Sequence, residues 1–196
     1  MKYASAIALG VFLLAFACAP SEPTSSLEES GWITLFDGSS LDGWTLLGDA
    51  NWQLAEDAVE ADTGSGFLVT EDSYGDFELE LEFWVDETAN SGVFIRCTDP
   101  GEIGADNSYE VNIFDNRPDQ TYRTGGIVFF AAPSSNINTG GQWNSYAIRA
   151  DGSQLTVTLN GIETVNTADD TYAEGPIALQ YGAGTVRFRN VRIRPL

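Results

Sequence analysis

The sequence predicts an all-β domain arranged as a two-sheet antiparallel sandwich, and three observations carry that prediction. Beyond the first 30 residues no segment sustains apolar residues at spacings of three and four, whereas apolar and polar residues alternate repeatedly. The alternating runs are short and are separated by Gly, Asn and Asp clusters, with 20 Gly in the chain. No repeat period appears, which sets aside propellers and solenoids. A jelly roll is the preferred topology, although alternation alone does not separate it from an immunoglobulin-like sandwich.

The chain starts MKYASAIALGVFLLAFAC, with Lys2, an apolar run from Ala4 to Phe16 and small residues ending at Cys18. This pattern reads as a bacterial export signal over residues 1–17, too short to serve as a bilayer anchor. Ala15-Phe16-Ala17-Cys18 is like a lipoprotein cleavage box, with Ala15 where Leu is usual. Cys18 is therefore the expected lipidation site, and plain Ala-x-Ala cleavage after Ala17 is the alternative. Residues 18–30, APSEPTSSLEES and its flanks, are rich in Ser, Pro and Glu and read as a flexible tether. Residues 31–196 are enough for one domain with a full core.

Within that domain, FELELEFWV places Phe77, Leu79, Leu81, Phe83 and Val85 on a core face and Glu78, Glu80 and Glu82 on a solvated one. The turn-like TANSG is expected to close a connection between antiparallel strands, leading into GVFIRC. There Val93, Ile95 and Cys97 alternate with Phe94 and Arg96, so Cys97 reads as a buried small hydrophobe. Ser108 to Asn116, SYEVNIFDN, alternates Tyr109, Val111 and Ile113 with Glu110, Asn112 and Phe114. QLTVTL lies between Asp151-Gly152 and Asn160-Gly161, dipeptides that favour hairpin turns. In TVRFRNVRI the apolar parity switches between Phe188 and Val191, which predicts a bulge near Asn190.

Charge and composition narrow the chemistry. Nine basic residues face 29 acids, a formal charge of −20, and Lys2 is the only lysine. Such a surface repels nucleic acid and anionic headgroups, so membrane contact is expected only through the lipid anchor. The absence of His excludes a Ser-His-Asp triad, a Cys-His pair and His-ligated zinc. Catalysis would have to rest on Asp, Glu, Tyr, Arg or an oxygen-ligated metal. The acids Asp99, Glu102 and Asp106 of TDPGEIGADN match no EF-hand spacing and read as solvated, leaving a divalent cation, Ca²⁺ or Mn²⁺, as an open cofactor. No feature sets an oligomeric state.

Polar alternates of neighbouring strands form one surface in a sandwich. Phe94 and Arg96 with Glu110 and Asn112 would offer carboxylate, amide and guanidinium beside an aromatic wall, groups that suit a saccharide. A surface ion pair of Arg96 is the structural alternative. Trp44, Trp52 and Trp143 read as packing residues.

The ordered series GWITLFDGSSLDGW, YGDFELELEF, NSGVFIR, YEVNIFDN, TGGI, WNSYAI, LNG, GPIALQ and VRFRNVRIRPL, over residues 31–196, resembles the 3-keto-disaccharide hydrolase family. The resemblance implies a concanavalin-like jelly roll, export to the cell envelope, and cleavage of glycosides oxidised to a ketone at carbon 3. It implies a carboxylate base that takes the carbon 2 proton, loss of the glycosidic oxygen, and addition of water. By position in the matching motifs, Glu110, Arg96 and Asp115 are the expected catalytic residues, with Asn112, Asn116, Gln180 and Phe94 binding substrate. Arg96 or a divalent cation would stabilise the enolate. Two departures stand out: many members carry Asp-His-Gly where this chain reads Tyr181-Gly182-Ala183, and Val128 replaces a Tyr. The alternative is a non-catalytic carbohydrate-binding lipoprotein on the same fold, taking plain or oxidised sugars.

Overall fold

A computed structural model describes Met1 and residues 31–196. The expected signal, the tether and Cys18 lie outside the described residues. The described residues form thirteen strands: β1 (Ile33–Phe36), β2 (Trp44–Gly48), β3 (Gln53–Ala55), β4 (Ala58–Ala61), β5 (Gly66–Thr70), β6 (Phe77–Val85), β7 (Ser91–Ile95), β8 (Tyr109–Ile113), β9 (Trp143–Asp151), β10 (Gln154–Leu159), β11 (Ile162–Ala168), β12 (Ala178–Tyr181) and β13 (Val186–Pro195). The one helical element among the described residues is a 3-10 turn at Gln120–Tyr122. No described helix is long and apolar enough to cross a membrane.

Eight strands form one antiparallel sheet, β11-β10-β9-β6-β13-β4-β3 with β1 also on β13, and five form the other, β2-β5-β12-β7-β8. The all-β jelly-roll sandwich is therefore the architecture. Period-two alternation decides the core: Phe77, Leu79, Leu81, Phe83 and Val85 meet Val93, Ile95, Tyr109, Val111 and Ile113 between the sheets. Trp44 and Trp52 join this core, and Trp52 packs edge-on to Tyr181 at 6.3 Å.

The two Gly dipeptides make the expected hairpins. Gly152, Asn160 and Gly161 all have positive φ, which the β9-β10 and β10-β11 turns require. The predicted bulge is present as well: Asn190 has φ 52°, and the β6-β13 register shifts between Arg189 and Arg192.

One connection differs from expectation. TANSG does not join antiparallel neighbours, because β6 is already flanked by β9 and β13; it carries the chain across to the five-stranded sheet. The crossing is held by Asp86, which accepts bonds from Thr88 and from the Thr185 amide, and by Asn90 pairing with Ala183.

The Glu-bearing face of β6 is an outer face, but its acids are neutralised by arginines of neighbouring strands. Glu78 pairs with Arg149 and Arg194, Glu80 with Arg192, Glu82 with Arg189, and Glu60 with Arg187. The guanidiniums of Arg187 and Arg189 also stack on Trp84 and Trp143. An open cleft of about 660 Å³ lies on this side, around the Asn190 bulge.

Candidate functional site

The outer face of the five-stranded sheet holds the candidate site. Cα pairing places Ala178 opposite Phe94 and Phe94 opposite Glu110, so these side chains share a face; Asn112 and Gln180 share it by being two residues further along. Gln180 is in turn opposite Phe67, whose ring meets Phe94 edge-on at 5.2 Å. Val69, Phe94, Cys97 and Ala178 form a small apolar cluster there, against which Ile103 packs from the 98–107 loop. The acids of that loop thus belong to a segment that covers part of this face.

Glu110 is mostly buried beside this cluster, and its carboxyl has no hydrogen-bond partner among the described residues. Burial pushes its pKa up from 4.5 to about 7, with the charge of Arg117 opposing the rise. Arg117 makes no ion pair within the described chain. Gly92, paired with Asn112, keeps room beside the acid: a Cβ there would sit 3.3 Å from Glu110 Cγ and 3.2 Å from the Phe94 ring.

Asn112 is completely buried and rigidly held. Its amide donates to Gly126 O, its carbonyl accepts from the Gly125 amide and the Tyr146 hydroxyl, and its Nδ2 donates to Tyr122 O. Its Oδ1 accepts nothing, and Gln180 Oε1 is likewise buried without a donor. Two orphan acceptors therefore lie on the face that carries Glu110. Orphans of this kind are uncommon, because each forgoes the hydrogen bond it would have in water.

Three expected members of the site are elsewhere. Arg96 follows the last residue of β7 with φ 54°, a left-handed conformation that breaks the alternation. Its side chain is 1% exposed and donates to Gly75 O, Gly152 O, Tyr172 O and the Asp76 carboxylate. All this binding ties β-turns at one end of the sandwich, so Arg96 cannot face the Glu110 carboxyl. The same reversal moves Cys97 from the expected inner parity to the outer cluster, where burial pushes its thiol up to about 12.

Asp115 also serves the fold. Strand β8 ends at Ile113, and the Asp115 carboxylate accepts bonds from the Thr139 amide and hydroxyl, the Gly140 amide and the Thr124 hydroxyl, with Arg123 at 3.7 Å. It is saturated and pins the 138–140 segment to the end of β8. Asn116 donates to Glu87 O on the adjoining crossing. The structure thus gathers Glu110, Asn112, Gln180 and Phe94, and places Arg96, Asp115 and Asn116 outside that group. Sequence reasoning passed over Arg117, whose charge acts on Glu110 from beyond the end of β8, where alternation carries no signal.

Among the described residues no three His, Cys, Asp or Glu side chains gather as a metal set. Among the described residues Glu110 is the one carboxylate that the strands place on the face, and no loop acid joins it in a metal set, so the residues present do not fit a carboxylate-bound Ca²⁺ or Mn²⁺, and no step below runs through one.

A family model described as a 3-keto-alpha-glucoside-1,2-lyase-like domain matches residues 31–194. The chain belongs to that family. A curated relative, a 3-keto-disaccharide hydrolase of Bacteroides thetaiotaomicron, is 25% identical over 154 residues, covering 62% of this chain and 53% of its own length. The chain thus spans about half of that relative. A crystal structure described as a candidate glycosyl hydrolase of Parabacteroides distasonis has TM-score 0.74 and 26% identity, over 84% of this chain and 99% of that one. A carbohydrate-binding module of Bacillus subtilis shares the fold at TM-score 0.63 and 17% identity, over 78% of this chain and 95% of that one.

Proposed function

We propose that this chain cleaves the glycosidic bond of 3-keto-glycosides, with Glu110 as the proton-transferring group. The carrying observation is the isolated, half-desolvated Glu110 carboxyl, whose pKa near 7 suits it both to take and to return a proton at neutral pH. Membership of the lyase-like family and the hydrolase relative support the reaction class.

A ketone at carbon 3 acidifies the hydrogen on carbon 2. The Glu110 carboxylate takes that proton, and the C–H electron pair moves toward the ketone as an enolate. Collapse of the enolate forms a double bond between carbons 1 and 2 and breaks the bond from carbon 1 to the glycosidic oxygen. That oxygen leaves with the proton now on Glu110. Water adding across the new double bond gives the free 3-keto sugar, so proton and electron counts close without an added reagent. Arg117 would supply the positive field that Arg96 cannot.

Incubating the full chain with methyl 3-keto-α-D-glucopyranoside and following the unsaturated ketone and free 3-keto sugar by NMR tests this. No product at any pH between 5 and 9 would sink it. A second reading, a saccharide-binding protein without turnover, has one observation in its favour: the residues at the family's Asp-His-Gly are Tyr181-Gly182-Ala183, and Tyr181 is buried with its hydroxyl donating to Gly184 O. Binding with no product in the same assay would select it. In either reading the expected lipid anchor at Cys18 would hold the domain at the cell envelope.

A further inference from the structure

The face that carries Glu110 also carries an amide that the fold does not use. Asn90 stands immediately before β7 and continues its alternation: Ala89, Ser91 and Val93 are buried toward the core, so Asn90, Gly92 and Phe94 share the outer face. Its backbone is fully engaged. The Asn90 amide donates to Ala183 O, and its carbonyl accepts from the amides of both Gly182 and Ala183, two residues opposed to one. Its side chain is half-buried and open to solvent, and makes no hydrogen bond among the described residues. Asn is depleted in strands, and here its amide caps no turn and ties no loop.

Two glycines keep the space around this amide bare. A Cβ on Gly182 would lie 3.0 Å from Asn90 Nδ2, and one on Gly92 would lie 3.3 Å from Glu110 Cγ. The Asn90 amide therefore lies against Gly182, while the Glu110 side chain leans over Gly92. Asn90 and Gly92 are two residues apart on one face, roughly 7 Å, and neither glycine raises a side chain between acid and amide.

We infer that Asn90 Nδ2 donates to the oxygen on carbon 3, holding the ketone and then the negative charge that gathers there as the enolate forms. This rests on the reading of Glu110 as the proton-transferring group. The carbon 2 hydrogen and the carbon 3 oxygen lie on adjacent ring atoms, so base and donor stand on two sides of them. A proton-transfer contact and a hydrogen bond of about 3 Å each, joined across the bond from carbon 2 to carbon 3, span a gap of that size. No proton moves to or from Asn90, so the elimination balances as before. The other groups fit this role less well: Asn112 commits its Nδ2 to Tyr122 O, Phe94 is apolar, and Arg96 is tied to carbonyls and Asp76.

The test uses the full chain and methyl 3-keto-α-D-glucopyranoside, with rates taken per folded molecule. Asn90→Ala should lower kcat about a hundredfold and change KM less than about threefold, because the bond strengthens as charge develops on the oxygen. Asn90→Asp, equal in size but without a donor, should lose at least as much. A rate in Asn90→Ala within about twofold of wild type, retained activity in Asn90→Asp, or a loss confined to Gln180→Ala would overturn the assignment. Failure of the Glu110 reading shows separately, as unchanged turnover in Glu110→Gln. If the wild type releases no product, NMR titration of isotope-labelled protein decides. The Asn90 side-chain amide signals, identified by their absence in Asn90→Asp, should move further with the 3-keto glycoside than with methyl α-D-glucopyranoside. Equal or absent shifts would overturn the inference.

Discussion

Replacing Glu110 with Gln should make the protein more stable as pH rises, a consequence opposite to its expected effect on turnover. The Glu110 pKa is 4.5 when unfolded and about 7 when folded. Below pH 4.5 the acid is protonated in both states and contributes no difference. Between those values the unfolded chain releases the proton and the folded chain keeps it, so stability falls with rising pH until the folded group also ionises near 7. A shift of this size corresponds to about 3 kcal/mol at 1.36 kcal/mol per unit, or about 2–3 kcal/mol allowing for the partial exposure of the carboxyl. Glu110→Gln removes the titration. Its stability relative to wild type should therefore gain about 2–3 kcal/mol between pH 4 and pH 8, or about 5–10 °C in Tm for a domain of this length. Urea unfolding of both proteins across that range gives the difference directly, and a constant offset from the new amide cancels. A difference that does not change with pH, or that runs the other way, would refute the burial argument for Glu110.

Arg96→Leu should cost about 3–5 kcal/mol in urea unfolding, because it strips the buried donor from three carbonyls and Asp76. Turnover per folded molecule should persist, and its loss in a folded sample would restore a catalytic role. Asp115→Asn should destabilise by about 2–3 kcal/mol through the Thr139 and Gly140 amides, read as faster amide hydrogen exchange in the 138–140 segment. Unchanged exchange there would show that the carboxylate does not pin it. Arg117→Ala should move the acid limb of the pH–rate profile upward, since Arg117 holds the Glu110 pKa down. A limb that stays put would separate the two groups. Cys97 should resist iodoacetamide at pH 8 in the folded protein, its thiol being buried and pushed up to about 12.

Much of the fold was legible because it follows from period-two alternation and turn chemistry. The core faces of β6, β7 and β8, the two hairpins around QLTVTL and the Asn190 bulge are all local signals. Glu110 and Asn112 share the outer face with Phe94 for the same reason. Alternation failed where a single residue left the extended region: φ 54° at Arg96 reverses everything after Ile95, sending the guanidinium inward and Cys97 outward. Nothing in GVFIRC marks that residue, since Arg has no preference for positive φ. Asp115 was misread for a different reason. Its partners Thr139 and Gly140 are 24 and 25 residues away, and only the closed sandwich brings them to the end of β8. The arginines that neutralise Glu78, Glu80 and Glu82 likewise come from β9, 71 residues later, and from β13, more than 100 residues later, so the acidic stripe read as simply solvated.

The pH–rate profile of wild type and Glu110→Gln on methyl 3-keto-α-D-glucopyranoside bears most directly on the central claim. The account predicts a wild-type rate that rises through about pH 7 as the carboxyl ionises, and a Gln variant that binds the substrate but releases no product. Full turnover in the Gln variant, or a wild-type profile flat from pH 5 to 9, would contradict it.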